Sequence, residues 1–246
     1  MFPIRDHNPA SRFPAVTIGL IIVNVVVFLG YLPLMGNEQA INRFFLEWAM
    51  IPARVTETGA YYTILTSMFM HAGFAHLIGN MLFLWIFGDN MEDQFGHVGF
   101  LLFYLACGIG AGLTHILFAP NSTVPTVGAS GAIAGVMGGY LLLFPRARVD
   151  ILIIFVVFIQ VLTLPAWTML GLWFAMQFFS SIGADASMGG VAYWAHTGGF
   201  VIGFLLTLPI WLRGGNTGFW QRTQGHPPYP GTRYRMRRTD IPRIRR

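Results

Sequence analysis

The sequence predicts an all-α, polytopic membrane protein whose six transmembrane helices form one bundle. Three observations carry that reading. Only 10% of the residues are charged and 54% are hydrophobic, with a mean hydropathy of +0.58; a soluble domain carries about 25% charged residues. Several apolar runs approach the ~20 residues that cross a bilayer. All 15 basic residues are arginine, and most fall where an even number of crossings places them on one side.

The elements follow in order. Residues 1–13 are polar and are read as a cytoplasmic N-terminal segment. The next run lacks a small-residue cleavage site, so 15–34 is read as a retained first span rather than a signal peptide. A long amphipathic stretch with FFLEWAMIPARV follows. The second span is expected at 75–90, the third at 97–119, the fourth at 129–144 and the sixth at 191–212. Residues 149–179 are apolar for about 31 residues, roughly 46 Å as helix, too long for one crossing and too short for two. Pro165 breaks that run. We therefore expect 149–164 to lie in or dip into the membrane, and a fifth span to start at Pro165.

Arg5 and Arg12 precede the first span, Arg146 and Arg148 follow the fourth, and nine arginines lie from Arg213 to Arg246. The positive-inside rule puts these, and both termini, in the cytoplasm. Arg43 and Arg54 fall in the first loop, which this topology leaves outside. Residues 14–212 then make the core. Residues 213–246 read as a basic tail without structure, partnered by anionic lipid headgroups rather than nucleic acid. Cys107 is the single cysteine, so no internal disulfide forms.

Polar residues in spans are expensive and face the bundle interior or a water-filled cavity. The second, fourth and sixth spans enter from the same side. They bring His71, His76 and Asn80, then Ser130, then His196 into one leaflet. His196, Gly199 and Gly203 share a helix face at i, i+3 and i+7; Ser130, Ala134 and Gly138 share another at i, i+4 and i+8. Small faces let helices approach closely. If these two meet, Ser130 and His196 come within hydrogen-bond reach as a nucleophile and its general base. His76 and Asn80, at i and i+4, add donors for an oxyanion beside the Ser130 N–H.

These residues resemble the rhomboid family of intramembrane serine proteases. Gly128-Ala129-Ser130-Gly131 matches its Gly-x-Ser-x pattern, His76 and Asn80 its His-x-x-x-Asn, and His196, Gly199 and Gly203 its His-x-x-Gly-x-x-x-Gly. The resemblance implies a six-helix rhomboid-type bundle with a long membrane-associated first loop. It implies a Ser130–His196 dyad with an oxyanion hole of Asn80, His76 and Ser130, close packing at Gly128, Gly131, Gly199 and Gly203, and no cofactor. It implies transmembrane proteins as substrates, cut near the outer face, a structural role for Glu92, and a mobile gate helix at 165–180. Two departures stand out. The neighbourhood AYYTILTSMFMH lacks the Trp-Arg often found in the first loop, and Ala134 replaces an aromatic residue.

Other readings are weighed against this one. Asp150 or Asp185 is a third member of the site only if its loop reaches His196. His71, His76 and His196 invite a metal, but no His-Glu-x-x-His occurs, and no metal is expected. A transporter would show an acidic relay or an internal repeat, and neither is visible. A catalytically silent rhomboid-like protein that binds client helices would lack the serine or histidine. His115 is read as structural. Residues 180–190 are small and flexible enough to cap the site between turnovers. A prokaryotic plasma membrane is the expected home.

Overall fold

The computed structural model describes residues 2–155, 158–183 and 190–223. Of the expectations above, the greater part of the 180–190 cap, with Asp185 in it, and the arginine-rich 224–246 lie outside the described residues.

The molecule is mostly helical. Strand β1 (Phe2–Asp6) is followed by α1 (Ala15–Tyr31), then α2 (Glu38–Trp48), α3 (Pro52–Thr58) and α4 (Tyr62–Thr66). Next come α5 (Phe74–Phe118), α6 (Ser130–Leu143), the strands β2 (Arg148–Phe155) and β3 (Phe158–Pro165), and then α7 (Ala166–Gly183), α8 (Tyr193–Arg213) and α9 (Thr217–Thr223). Three helical stretches are long and apolar enough to cross a membrane: Ala15–Gly36, Phe74–Phe118 and Tyr193–Arg213. The protein is an integral membrane protein.

A straight helix of 45 residues would run about 67 Å, more than twice the ~30 Å hydrocarbon core. Helix α5 avoids this by breaking at Gly96, whose φ of 69° and ψ of 166° are not helical. A left-handed φ favours glycine, which has no Cβ to clash. Phe95 and Phe103 pack with ring centroids 4.4 Å apart, so the chain turns back at the break. Glu92 sits just before it and holds the start of α1. Its carboxylate accepts the N–H groups of Val16 and Thr17 and the Thr17 hydroxyl, and it also meets the His97 ring. An anion at orphan helix N–H groups is stabilising.

The stretch before α5 is tied down without the Trp-Arg pair. Arg54 on α3 donates to the carbonyls of Leu46 and Glu47 and to the Tyr62 hydroxyl. Tyr62 donates in turn to the Glu47 carbonyl and packs edge-on against Trp48. Tyr31, at the end of α1, donates to the His71 carbonyl and accepts the His71 N–H.

The all-α expectation needs correcting. In the stretch 149–164, read as an apolar segment in or dipping into the membrane, β2 and β3 pair as antiparallel strands, and β1 adds to them as a third in the order β1-β2-β3. The run is dominated by Val, Ile, Phe and Leu, which fit a pleated surface. Short apolar runs leave strand and helix unresolved by periodicity. Asp150 decides the pairing: it accepts from Thr163 on β3, from Arg5 on β1 and from the His7 ring. Part of the tail expected to lack structure is also helical, since α9 docks through the Trp220 indole N–H on the Leu142 carbonyl.

Candidate active site

Three helices begin at one end of the molecule, and each brings a polar side chain within its first two turns. Ser130 opens α6, His196 lies in the first turn of α8, and His76 and Asn80 lie in the first two turns of α5. Near their starts these helices carry N–H groups without a helical acceptor, and their dipoles point positive ends at the same space. That space is a cavity of about 870 Å³, lined by Ser130, His196, His76, Asn80, Trp173 and Gln177 among others.

Helices α6 and α8 lie against each other through backbone. A Cβ on Gly199 would sit 2.1 Å from the Gly131 carbonyl oxygen, and one on Gly203 would sit 2.0 Å from the Gly135 oxygen. Gly131 faces Ala111 of α5 and Ala195 of α8. Only helices stripped of side chains on both faces approach this closely. The approach brings His196 Nε2 to 2.7 Å from Ser130 Oγ.

Gly128 has a φ of 129° and carries its N–H to the Ser67 carbonyl. A Cβ there would fall 2.8 Å from His76 Nε2 and 3.6 Å from Ser130 Oγ, so the absence of one lets the imidazole lie beside the serine. The Ala72 N–H donates to His76 Nδ1 at 3.4 Å. A neutral ring that accepts at Nδ1 carries its proton on Nε2, the nitrogen turned toward Gly128 and Ser130. Asn80 donates one amide proton to the His76 carbonyl at 3.0 Å, and its second amide proton stays free of that bond.

The remaining sequence candidates make no hydrogen bond to Ser130 or His196 among the described residues, although His115 also lines the cavity. Asp150 is in the sheet, bound to Arg5, His7 and Thr163, and is not a partner of His196. His71 is fully buried with its ring 5.0 Å from that of His76, and neither of its ring nitrogens meets a partner among the described residues. His115 Nε2 is 3.3 Å from Thr126 Oγ1. Among the described residues no three His, Cys, Asp or Glu side chains come together as a group that could hold a metal.

Two residues of the site escaped the sequence reading, and both are on α7. Gln177 Oε1 lies 2.8 Å from His196 Nδ1, and the Trp173 ring packs on the imidazole at 5.9 Å and 33°. Trp173 is thus an aromatic residue that packs on His196 although position 134 is alanine. The signal was present: Gln177 is the one amide in a mostly apolar helix, four residues after Trp173 and so on the same face.

Comparison with known proteins identifies the family. A rhomboid-domain family profile matches residues 58–213, well over half of the sequence. The chain belongs to the rhomboid family. RHOMBOID-like protein 6, mitochondrial, of Arabidopsis thaliana is 38% identical over 96 residues, 39% of this chain and 29% of that protein. Rhomboid protease GluP of Bacillus subtilis is 42% identical over 83 residues, 34% and 16% of the two chains. Rhomboid protein 1, mitochondrial, of Saccharomyces cerevisiae is 31% identical over 147 residues, 58% and 40%. The chain thus spans less than half the length of each of these relatives. They include organellar as well as bacterial proteins, so they lend no support to a prokaryotic plasma membrane as this protein's home.

Proposed function

We propose that this rhomboid is an intramembrane serine endopeptidase that cuts the transmembrane segments of single-pass proteins near the outer face. The observation that carries the reading is the 2.7 Å approach of Ser130 Oγ to His196 Nε2 at the cavity. A rhomboid relative of this chain is named as a protease.

In this reading six helical segments cross the membrane: α1, the two limbs of α5, α6, α7 and α8. Arg5 and Arg148 on the sheet, and Arg213 ending α8, belong to the end opposite Ser130. The positive-inside rule makes that end cytoplasmic and the cavity outward-facing, so water reaches the serine. A substrate helix enters beside α7. Its outer end unwinds, at lower cost where small or helix-weakening residues stand.

Ser130 then donates its proton to His196 Nε2 as its oxygen bonds to the scissile carbonyl carbon. The oxyanion forms among the His76 Nε2–H, the free Asn80 amide proton and the Ser130 N–H. The imidazolium gives its proton to the leaving amine as the C–N bond breaks. Water, deprotonated by His196, hydrolyses the ester and frees Ser130.

The test is cleavage of a panel of single-pass substrates in reconstituted vesicles. Wild type cuts within or beside the transmembrane segment, and Ser130→Ala, folded and lacking one oxygen, does not. Binding of those substrates by a wild type that cuts none of them supports the catalytically silent, client-binding alternative.

A further inference from the structure

We propose that Gln177 is a positioning residue that sets the tautomer of His196 and so makes the reaction depend on the placement of α7. The inference rests on the reading of Ser130 and His196 as the reacting pair.

A histidine that takes a proton from serine must present a lone pair at Nε2, so its own proton has to be on Nδ1. Imidazole alone does not enforce that choice; the partner at Nδ1 does. In other hydrolytic triads a carboxylate fills this place. Here no Asp, Glu or Arg is among the described lining residues of the cavity. The described lining residues include the imidazoles of His76 and His115 from α5, Ser130 from α6, Trp173 and Gln177 from α7, and Tyr193 beside His196 on α8. Among the described residues only Gln177 meets Nδ1, at 2.8 Å, and it does so through its carbonyl oxygen.

An amide is a discriminating partner because its two ends are opposite in character. With Oε1 at Nδ1, the ring donates and Nε2 is left to accept from Ser130. With the amide nitrogen there, the ring would accept at Nδ1 and carry its proton on Nε2, facing the serine without a lone pair. After proton transfer from Ser130 both ring nitrogens bear protons, and the Nδ1–H still donates to Gln177. The same acceptor therefore serves the ring before and after the step.

Helix α7 contributes no reacting group. Its position reaches the chemistry through Gln177 at Nδ1 and Trp173 on the ring face, one helical turn apart. A displacement of α7 removes both contacts together and leaves His196 free to take the unproductive tautomer.

The experiment combines 15N-histidine NMR with cleavage kinetics on the full chain in vesicles. Wild type is expected to show His196 protonated at Nδ1. Gln177→Met, similar in shape but without the acceptor, is expected to populate the Nε2–H form and lower kcat roughly 10-fold, the scale of one neutral hydrogen bond, with KM little changed. Gln177→Glu, which can only accept, restores both the tautomer and most of the lost rate. A wild-type ring protonated at Nε2 overturns the proposal. So does a Gln177→Met variant with unchanged tautomer, or a loss of rate that Gln177→Glu does not recover in folded protein. If wild type cuts nothing, the protease reading fails, and the tautomer measurement still judges Gln177.

Discussion

Asn80 shows how little of the site is committed in advance. One of its amide protons is held by the His76 carbonyl, which fixes the side chain; in the proposed reaction the other donates to the oxyanion. Removing a preorganised oxyanion donor costs about 10²–10³ in rate. Asn80→Ala is therefore expected to cut at a residual rate lower by that factor with KM little changed, measured in the same vesicle assay; full activity would remove Asn80 from the oxyanion hole. The sequence singles out Ser130 and His196 as polar groups with small neighbours at helical spacing, and His76 and Asn80 as a polar pair at i and i+4 in an apolar run. Gln177 was less legible. It stands alone, and nothing in its own segment says which nitrogen of which histidine it meets.

At the scale of elements, the site depends on α6 and α8 staying in backbone contact. Gly203→Val places branched carbons where even a Cβ would lie 2.0 Å from the Gly135 oxygen. The helices must separate, at a cost of ~1–3 kcal/mol or more. The expected result is a lower melting temperature together with loss of cleavage, because Ser130 and His196 part. The glycine stripes were readable because helical periodicity tells which residues share a face. The pairing of β2 and β3 was not. A run with apolar side chains on both faces gives no alternation to read, and the decisive partner of Asp150 lies near the N-terminus, far away in sequence. Glu92, for which the resemblance implied a structural role, holds a helix start 75 residues upstream, a partner its own segment does not name. Its loss, in Glu92→Gln, is expected to cost ~1–3 kcal/mol by thermal unfolding.

Across the whole molecule, the sheet end carries the pH response outside the membrane-spanning helices. The bonds that Asp150 accepts from Thr163, His7 and Arg5 hold its carboxyl well below the usual carboxylate range. Its stabilising contribution is present above the unfolded value near 4 and is lost as pH falls through the depressed folded value. Asp6 behaves oppositely. Burial raises its carboxyl to about 6, although the Tyr140 hydroxyl donates to it. The folded state then holds a proton that the unfolded state has released, so its contribution is full below pH ~4 and disappears as pH rises through about 6. Wild type is expected to lose up to about 3 kcal/mol between those limits relative to Asp6→Asn. Melting temperatures of the two proteins at pH 4.0 and 6.5, both values chosen to bracket about 4 to 6, check it; parallel changes in both would assign the pH response elsewhere.

These scales meet at one oxygen. The central claim is that Ser130 is a nucleophile activated by His196, and a serine-directed fluorophosphonate tests it without knowledge of the substrate. Wild type in vesicles, treated with the probe and mapped by mass spectrometry, is predicted to carry the adduct on Ser130. The adduct should be absent in Ser130→Ala and strongly reduced in folded His196→Ala. A wild type left unmodified, or modified equally in His196→Ala, would contradict the account.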